Sequence, residues 1–342
     1  MPTGKECTFY TKLEDGIVQC HACRHHCKIH PGKRGICNVR QNYRGKLFLL
    51  VHSHPSAVHI DPIEKKPLYH VCPGAKIMSI GTAGCCFRCS FCQNWQLALT
   101  AKDIEDTEIA SYESLPPETV IQICMARKLK WIAFTYNEPA IFGEYALDIA
   151  RLALPKGIRC VYVTDGYESI EQLEAMKGLI CALNIDLKSF SDKFYRTVCG
   201  GRLEPVLDTI RRAYSLGMFV EITTLLIPGE NDGDEEIESI AKFISSVSPD
   251  IPWHLSAFHP DYKMMDHKRT PVSSLKRALE IGTEVGLKHI YIGNVGFEID
   301  TKCPNCKEVL VKRSRMHLDW IEPALSSSGK CKCGKEIAGI WK

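Results

Sequence analysis

No stretch of about 18 uncharged apolar residues occurs in the sequence, so it offers no membrane-spanning helix. The opening residues, MPTGKECTFYTKLEDG, lack the apolar core of a secretory signal, and a cytoplasmic protein with no membrane partner is expected. An excess of charge of one sign is missing as well. The 43 Lys and Arg against 40 Asp and Glu leave a formal +3, too balanced for the basic footprint that a nucleic-acid partner requires. Internal repeats and low-complexity tracts are absent, which argues against a solenoid or a disordered linker. With 342 residues, 45% of them hydrophobic, the chain can bury a sizeable core.

Cysteine is what the sequence has in excess, 18 residues gathered largely in three groups. Metal-ligand spacings in a chain this long fit a reducing compartment better than a secreted disulfide scaffold. Cys20, Cys23, Cys27 and Cys37 form the first group, Cys85 to Cys92 the second, and Cys303, Cys306, Cys331 and Cys333 the third. Cys7, Cys72, Cys124, Cys160, Cys181 and Cys199 are scattered, and most of these read as small buried hydrophobes.

Between the cysteine groups, short β-branched or apolar runs alternate with helix-like segments, the pattern of βα units around a parallel sheet. The runs are KIMSI (76–80), WIAFT (131–135), IRCVYVT (158–164), CALNIDL (181–187), MFVEITTL (218–225), WHLSA (253–257) and KHIYI (288–292). They predict a partial, TIM-like (β/α)6-7 barrel over residues 61–298. Pro271 marks the start of one helix and Gly217 the end of another. Polar loops follow the runs: the cysteine loop the first, YNEP (136–139) the second, DGY (165–167) the third and KSF (188–190) the fourth. IPGEND (227–232), FHP (258–260) and GNV (293–295) follow the last three. In a parallel barrel such loops converge on one face, where chemistry is done. Residues 1–60 and 299–342 read as small metal-braced modules, because segments so short seldom sustain a core alone.

The second group raises a question of valence. GCCFRCSFCQNWQ (84–96) holds Cys85, Cys89 and Cys92 as C-x3-C-x2-C, and a closed structural site takes four ligands. Thiolates select zinc, copper(I) or iron–sulfur clusters. Three can hold three corners of a cubane and leave the fourth iron open; zinc completed by Cys86 or a histidine such as His70 is the alternative. In the third group, Cys303-x2-Cys306 and Cys331-x-Cys333 place two ligand pairs across a loop, as in a zinc ribbon, and a structural zinc is expected. Cys20-x2-Cys23-x3-Cys27-x9-Cys37 also supplies four thiols, for a second metal or cluster of open identity. Iron–sulfur there would mean electron relay or substrate anchoring; zinc would mean bracing.

The C-x3-C-x2-C motif, with Phe91 just before its last cysteine, resembles the signature of the radical S-adenosylmethionine (SAM) superfamily. DPIEKKPLYH (61–70), FCQNWQ (91–96), TYNEP (135–139), IDLKSF (185–190) and IPGEND (227–232) are similar to the branch near pyruvate formate-lyase activating enzyme, and within it to the AmmeMemoRadiSam group. The resemblance implies a [4Fe-4S] cluster on Cys85, Cys89 and Cys92. Its fourth iron would be chelated by SAM, which one electron splits to methionine and a 5′-deoxyadenosyl radical that abstracts hydrogen from substrate.

It also implies roles for the strand-end residues. Phe91 would lie near the adenine, and Glu138, with Asn137 beside it, would help hold the SAM amino group where relatives have Gly-Gly-Glu. Tyr136 and Asn137 stand in place of those glycines. Asp186 would suit the ribose hydroxyls and Lys188 a carboxylate, with Asp165 and His259 as further polar positions near SAM. Cys86 is expected to stay outside the cluster. The substrate would be a protein or peptide, reached through the lateral opening of an incomplete barrel, or a small molecule. The partners implied are SAM, a reductant such as flavodoxin or ferredoxin, and an AMMECR-type or Memo-type protein. A non-catalytic iron–sulfur electron carrier or scaffold is the alternative, but it leaves Asn137, Glu138, Asp186 and Lys188 without a task.

Overall fold

Each of the seven runs becomes a strand of one sheet in the computed structural model, which describes residues 4–98, 109, 111–296, 299–313, 321–323, 325 and 329–341. Numbered within this sheet, the strands are β1 (Ala57–Pro62), β2 (Lys76–Gly81), β3 (Trp131–Phe134), β4 (Arg159–Thr164), β5 (Ile180–Asp186), β6 (Phe219–Leu226), β7 (Trp253–Ala257) and β8 (Ile290–Gly293). Each pairs with the next in chain order. β2 to β8 are parallel and β1 is antiparallel to β2. Six helices alternate with the parallel strands: α1 (Pro117–Ala126), α2 (Gly143–Ala153), α3 (Ile170–Met176), α4 (Leu203–Ser215), α5 (Asp234–Val247) and α6 (Val272–Glu284). The architecture is α/β with a mostly parallel eight-stranded sheet, in keeping with a partial barrel.

β1 is the strand that the sequence pattern did not announce. Its apolar side chains Val58 and Ile60 are exposed, and it ends on Pro62, so it lacks both the inward alternation and the full set of ladder donors that mark a central strand. Only an edge can take it. The helices follow local rules closely. α5 opens with Asp234, Glu235 and Glu236 against its positive N-terminal end, and buries Ile237, Ile240, Ala241 and Ile244 at i, i+3, i+4 and i+7. Pro271 caps α6 in an extended conformation, one position earlier than a first-turn proline. Gly217 follows α4 at φ +81, as expected of a helix terminator.

The N-terminal residues form two small three-stranded sheets rather than a separate body. Their Val18, Val39, Leu47 and Leu49 belong to the same hydrophobic cluster as the interior of the large sheet. A buried ion pair fastens them: Arg40 donates to Glu144 of α2 and, at 2.9 Å, to the carbonyl of Ile141. Removing either charge would strand the other in a dry interior.

The C-terminal residues have a cluster of their own, with Cys303, Leu310, Cys331 and Ile337 at its centre. His70 docks them. Its Nδ1 lies 2.7 Å from the Ala338 carbonyl and its Nε2 lies 2.6 Å from the Tyr291 hydroxyl. Val71 bridges Ile340, and Arg313 donates to the Tyr69 carbonyl at 2.7 Å. His289 packs its ring 4.5 Å from that of His70, and its Nε2 is buried without a partner.

Burial pushes the imidazole of His289 down to about 4, from an ordinary value of 6.5. The unfolded chain therefore binds a proton between those values that the fold refuses, and stability falls as pH drops through this window. Between pH 7 and pH 5 this one group should cost about 2 kcal/mol. Urea midpoints measured at both values for the protein and for His289→Phe test it, the variant losing visibly less on acidification.

Candidate active site

The cysteine loop leaves the end of β2 at Gly81 and is held from two sides. On one, Asn137 donates from Nδ2 to the Gly84 carbonyl at 2.6 Å and to the Thr82 hydroxyl at 3.2 Å, while its Oδ1 accepts from Thr82 N. On the other, Arg88 N donates to the Cys199 carbonyl at 2.7 Å and Ser90 N to that of Val198 at 3.0 Å. The segment Tyr195–Cys199 winds as a single π turn, an irregularity that proteins keep mostly at functional positions.

Held in this way, Cys85, Cys89 and Cys92 line a cavity of about 540 Å³ at the carboxyl ends of the strands. Two further thiols stand close by and do not line it: Cys86 beside Cys85, and Cys199 beside Cys89, both fully buried. Cys199 is a buried member of the main hydrophobic cluster, as expected of the scattered cysteines, and its carbonyl holds the loop at Arg88. Burial pushes the Cys92 thiol up to about 12.

Charged groups share the cavity. Lys188 Nζ sits 2.8 Å from Asp165 and 2.7 Å from Asp186, and lies 5.7 Å from the centre of the Phe91 ring. Burial opposes its charge, but the two carboxylates outweigh that and hold the ammonium well above its usual range. Burial pushes Asp186 upward despite Lys188. These three residues, each named from the sequence as a candidate, share one cavity.

Other expected residues take different positions. Glu138 is buried behind the wall, its carboxylate accepting from Thr164 Oγ1 (2.9 Å), Asp165 N (2.6 Å) and Ala140 N (2.9 Å). Burial, together with Glu168 and Asp165, pushes it well above the usual carboxylate range. As placed, Glu138 shapes the Asp165 loop. His259 stands one residue back, joined to the cavity through a 3.1 Å contact with Gln93.

Tyr136 adopts the left-handed conformation that favours glycine, φ +73, at a strain of roughly 1–2 kcal/mol. Its ring lies under Lys66 Nζ at 4.5 Å, and its hydroxyl donates to Asp61, which also pairs with Lys66 at 2.9 Å. Asp61 and Lys66 line the cavity without having been singled out, although they lie in the DPIEKKPLYH stretch. That stretch carries no metal or nucleophile pattern, and the unrecognised strand β1 is what delivers Asp61.

The cysteine groups differ in geometry. A single ion held by four thiolates at 2.3 Å draws their sulfurs to about 3.8 Å from one another. In the C-terminal group, Cys303 and Cys333 are 3.7 Å apart and Cys306 and Cys331 are 3.5 Å apart. Among the described residues, this is the foursome whose ligand atoms all lie within 4.8 Å. Cys20, Cys23, Cys27 and Cys37 instead surround a small cavity.

The radical SAM superfamily profile matches residues 79–244, from the middle of β2 through α5. An uncharacterized protein of Methanocaldococcus jannaschii is 39% identical over 337 residues, 97% of this chain and 98% of that protein. The chain belongs to the radical SAM superfamily. It is related to the pyruvate formate-lyase-activating enzyme of Clostridium pasteurianum, at 23% identity over 60% of this chain and 88% of that one. A solved domain of the corresponding enzyme of Bacteroides vulgatus is 26% identical over 47% of this chain and 98% of that one, with a TM-score of 0.43.

Members of this radical SAM superfamily carry a [4Fe-4S] cluster and SAM. The donor set fits them: three soft thiolates on a cavity that also presents a cation and two carboxylates. No helix among the described residues is long and apolar enough to cross a membrane.

Asn137 is the lock on this loop. Asn137→Ala leaves the Gly84 carbonyl and Thr82 N without their partners, at a cost of about 1–3 kcal/mol. The iron retained per chain after anaerobic reconstitution should fall well below that of the parent, with far-ultraviolet circular dichroism little changed.

Proposed function

We propose that the chain is a radical SAM enzyme of the activating-enzyme type, which binds SAM at the open corner of a [4Fe-4S] cluster on Cys85, Cys89 and Cys92. One observation carries this reading: Cys85, Cys89 and Cys92 line one cavity, while the neighbouring buried thiols Cys86 and Cys199 do not. When bound, cluster and SAM supply one-electron cleavage of a C–S bond and a radical that removes hydrogen from substrate.

The chain's own residues bind and orient. Lys188, kept protonated between Asp165 and Asp186, presents N–H donors to the SAM carboxylate. Asp186 accepts from ribose hydroxyls, and Phe91 offers its face near the adenine. Asn137 and Glu138 act one step removed, on the loops that carry the thiols and Asp165.

The substrate side of the cavity leads toward β8. Lys65, Pro67, Thr223, Ser256 and Asn294 line both this cavity and an adjoining one of about 990 Å³ that reaches Val272 and Ile299. A space of that size beside the sheet edge suits a peptide segment of a protein substrate, and a small molecule would also fit. The similarity of DPIEKKPLYH and IPGEND favours the AmmeMemoRadiSam group, with an AMMECR-type or Memo-type protein as partner and a cytoplasmic donor such as flavodoxin or ferredoxin. The C-terminal foursome is assigned to zinc, whose tetrahedral radius its sulfur separations match. The non-catalytic carrier is disfavoured, because a carrier has no need of a charged cavity at its cluster.

Anaerobic reconstitution with iron and sulfide, reduction with dithionite and chromatography for 5′-deoxyadenosine test the proposal. Cys89→Ala should abolish cluster absorption and product together. Cys306→Ala should lose zinc and lower the melting temperature, with the cluster and product formation retained. A fully loaded parent that yields no 5′-deoxyadenosine returns the carrier reading.

A further inference from the structure

Glu221 of β6 is wholly buried and accepts three hydrogen bonds: from Tyr69 N at 3.0 Å, from His70 N at 2.8 Å and from the imidazole of His254, on β7, at 2.6 Å. An acceptor on that side keeps the proton of a neutral imidazole on Nε2 and leaves Nδ1 with a free lone pair. The ring stands edge-on to Tyr69, 4.6 Å between centres, and is stacked on Tyr291 at 5.3 Å, so its orientation is set from three sides. His254 is only 5% exposed, yet its Nδ1 has no hydrogen-bond partner among the described residues. Glu64 is in the same condition, 4% exposed with Oε2 lacking a partner. Both line the chamber of about 990 Å³ beside the thiol cavity. Two acceptors without donors cost free energy unless water or a ligand fills the space before them.

Beyond the carboxyl end of β7 the same chamber is built for negative charge. Arg269, Thr270, Pro271 and Val272 form its rim and lead into α6. This helix of 13 residues has no acidic side chain in its first turn and no side-chain cap. The N–H groups of Val272 and Ser273 have no acceptor among the described residues. Arg269 is exposed at the rim and makes no ion pair among them. Asp232 reaches this turn, 3.5 Å from Ser274 Oγ, but lines another pocket. A helix N-terminus beside an unpaired guanidinium attracts an oxyanion, and parallel barrels often hold phosphate between such a terminus and the loops after the late strands.

The chamber thus runs from an exposed, positive rim to a buried floor of acceptors. A continuous peptide segment needs a way out as well as a way in; a small molecule with two polar ends does not. Thr223, Ser256 and Asn294 line this chamber and the thiol cavity alike, so its occupant lies next to the cysteine loop.

We propose that the chamber binds a small polyhydroxylated molecule ending in an oxyanion, a phosphate or a carboxylate. The oxyanion rests on Arg269 and the first turn of α6, and hydroxyl groups donate to His254 Nδ1 and Glu64 at the floor. His254 is then a substrate-binding residue, and Glu221 positions it. That the ligand is the substrate rests on the radical SAM reading above; its binding does not.

Sorbitol 6-phosphate, gluconate and sorbitol offer similar hydroxyls with a phosphate, a carboxylate and no charge. Titrated by calorimetry into the reconstituted protein, at least one anion should bind, with sorbitol about tenfold weaker or more. The tighter anion names the oxyanion. Arg269→Ala, a change at an exposed side chain, should weaken that anion about tenfold and leave sorbitol unchanged. No binding by any of the three, sorbitol bound as tightly as the anions, or an Arg269→Ala variant that binds like the parent overturns the site.

His254→Leu should weaken the anion as well, whereas His254→Gln, which can still donate to Glu221 and accept from the ligand, should restore most of the affinity. Parent affinity in His254→Leu overturns the role of the floor. In the unaltered chain, the Nδ1 resonance of His254 in 15N NMR should shift when the tighter anion is added, and a static resonance overturns that role even where His254→Leu fails to fold. These readouts need neither SAM nor reduction, so a failure to form 5′-deoxyadenosine, fatal to the function proposed above, leaves them readable.

Discussion

The geometry of this protein turns on how one loop is gripped. Residues 84–92 form neither helix nor strand, so much of their backbone must be satisfied from outside. Asn137 does this from the end of β3, and the π turn at Tyr195–Cys199 does it between β5 and α4. Both grips belong to segments that follow parallel strands, and the twist of the sheet brings those segments to one face. Three thiols then look into a cavity while their neighbours Cys86 and Cys199 look away. Which thiols are offered to the cavity is in this sense a property of the surrounding fold.

The residues that follow β3 serve this grip in three ways. Tyr136 accepts a left-handed backbone, and its ring and hydroxyl contact Lys66 and Asp61, which line the cavity. Asn137 places a side-chain lock on the cysteine loop. Glu138 is buried behind the cavity wall, where it accepts from the backbone of Asp165, the partner of Lys188. Strain and buried charge at one strand end are compensated by hydrogen bonds to the adjacent loop.

The terminal segments stand in different relations to this core. The N-terminal residues share its hydrophobic cluster and touch the active-site loop at Gly84, so their cysteines are part of the active-site neighbourhood. The C-terminal residues keep a small cluster of their own and dock through His70 and Arg313 at the side of the sheet. The spacing of sulfurs follows this division, tight in the docked module and open around the N-terminal cavity.

Much of this was legible in the sequence. Parallel strands buried on both faces are continuous apolar runs, and all seven were readable to within two residues because such runs have few alternative uses. The ligand spacing of Cys85, Cys89 and Cys92 and the same-face pair Asp186 and Lys188 are local patterns, set by a few consecutive residues. What the tertiary structure decided is everything that depends on residues far apart in the chain. The exposed edge strand β1, the placing of Asp61 and Lys66 at the cavity, the burial of Glu138 against Thr164 and Asp165, and the grip of the Cys199 carbonyl on Arg88 are of this kind. Composition and spacing report what a side chain can bind; only the packing of strand ends against one another settles which side chains share a cavity and which are turned from it.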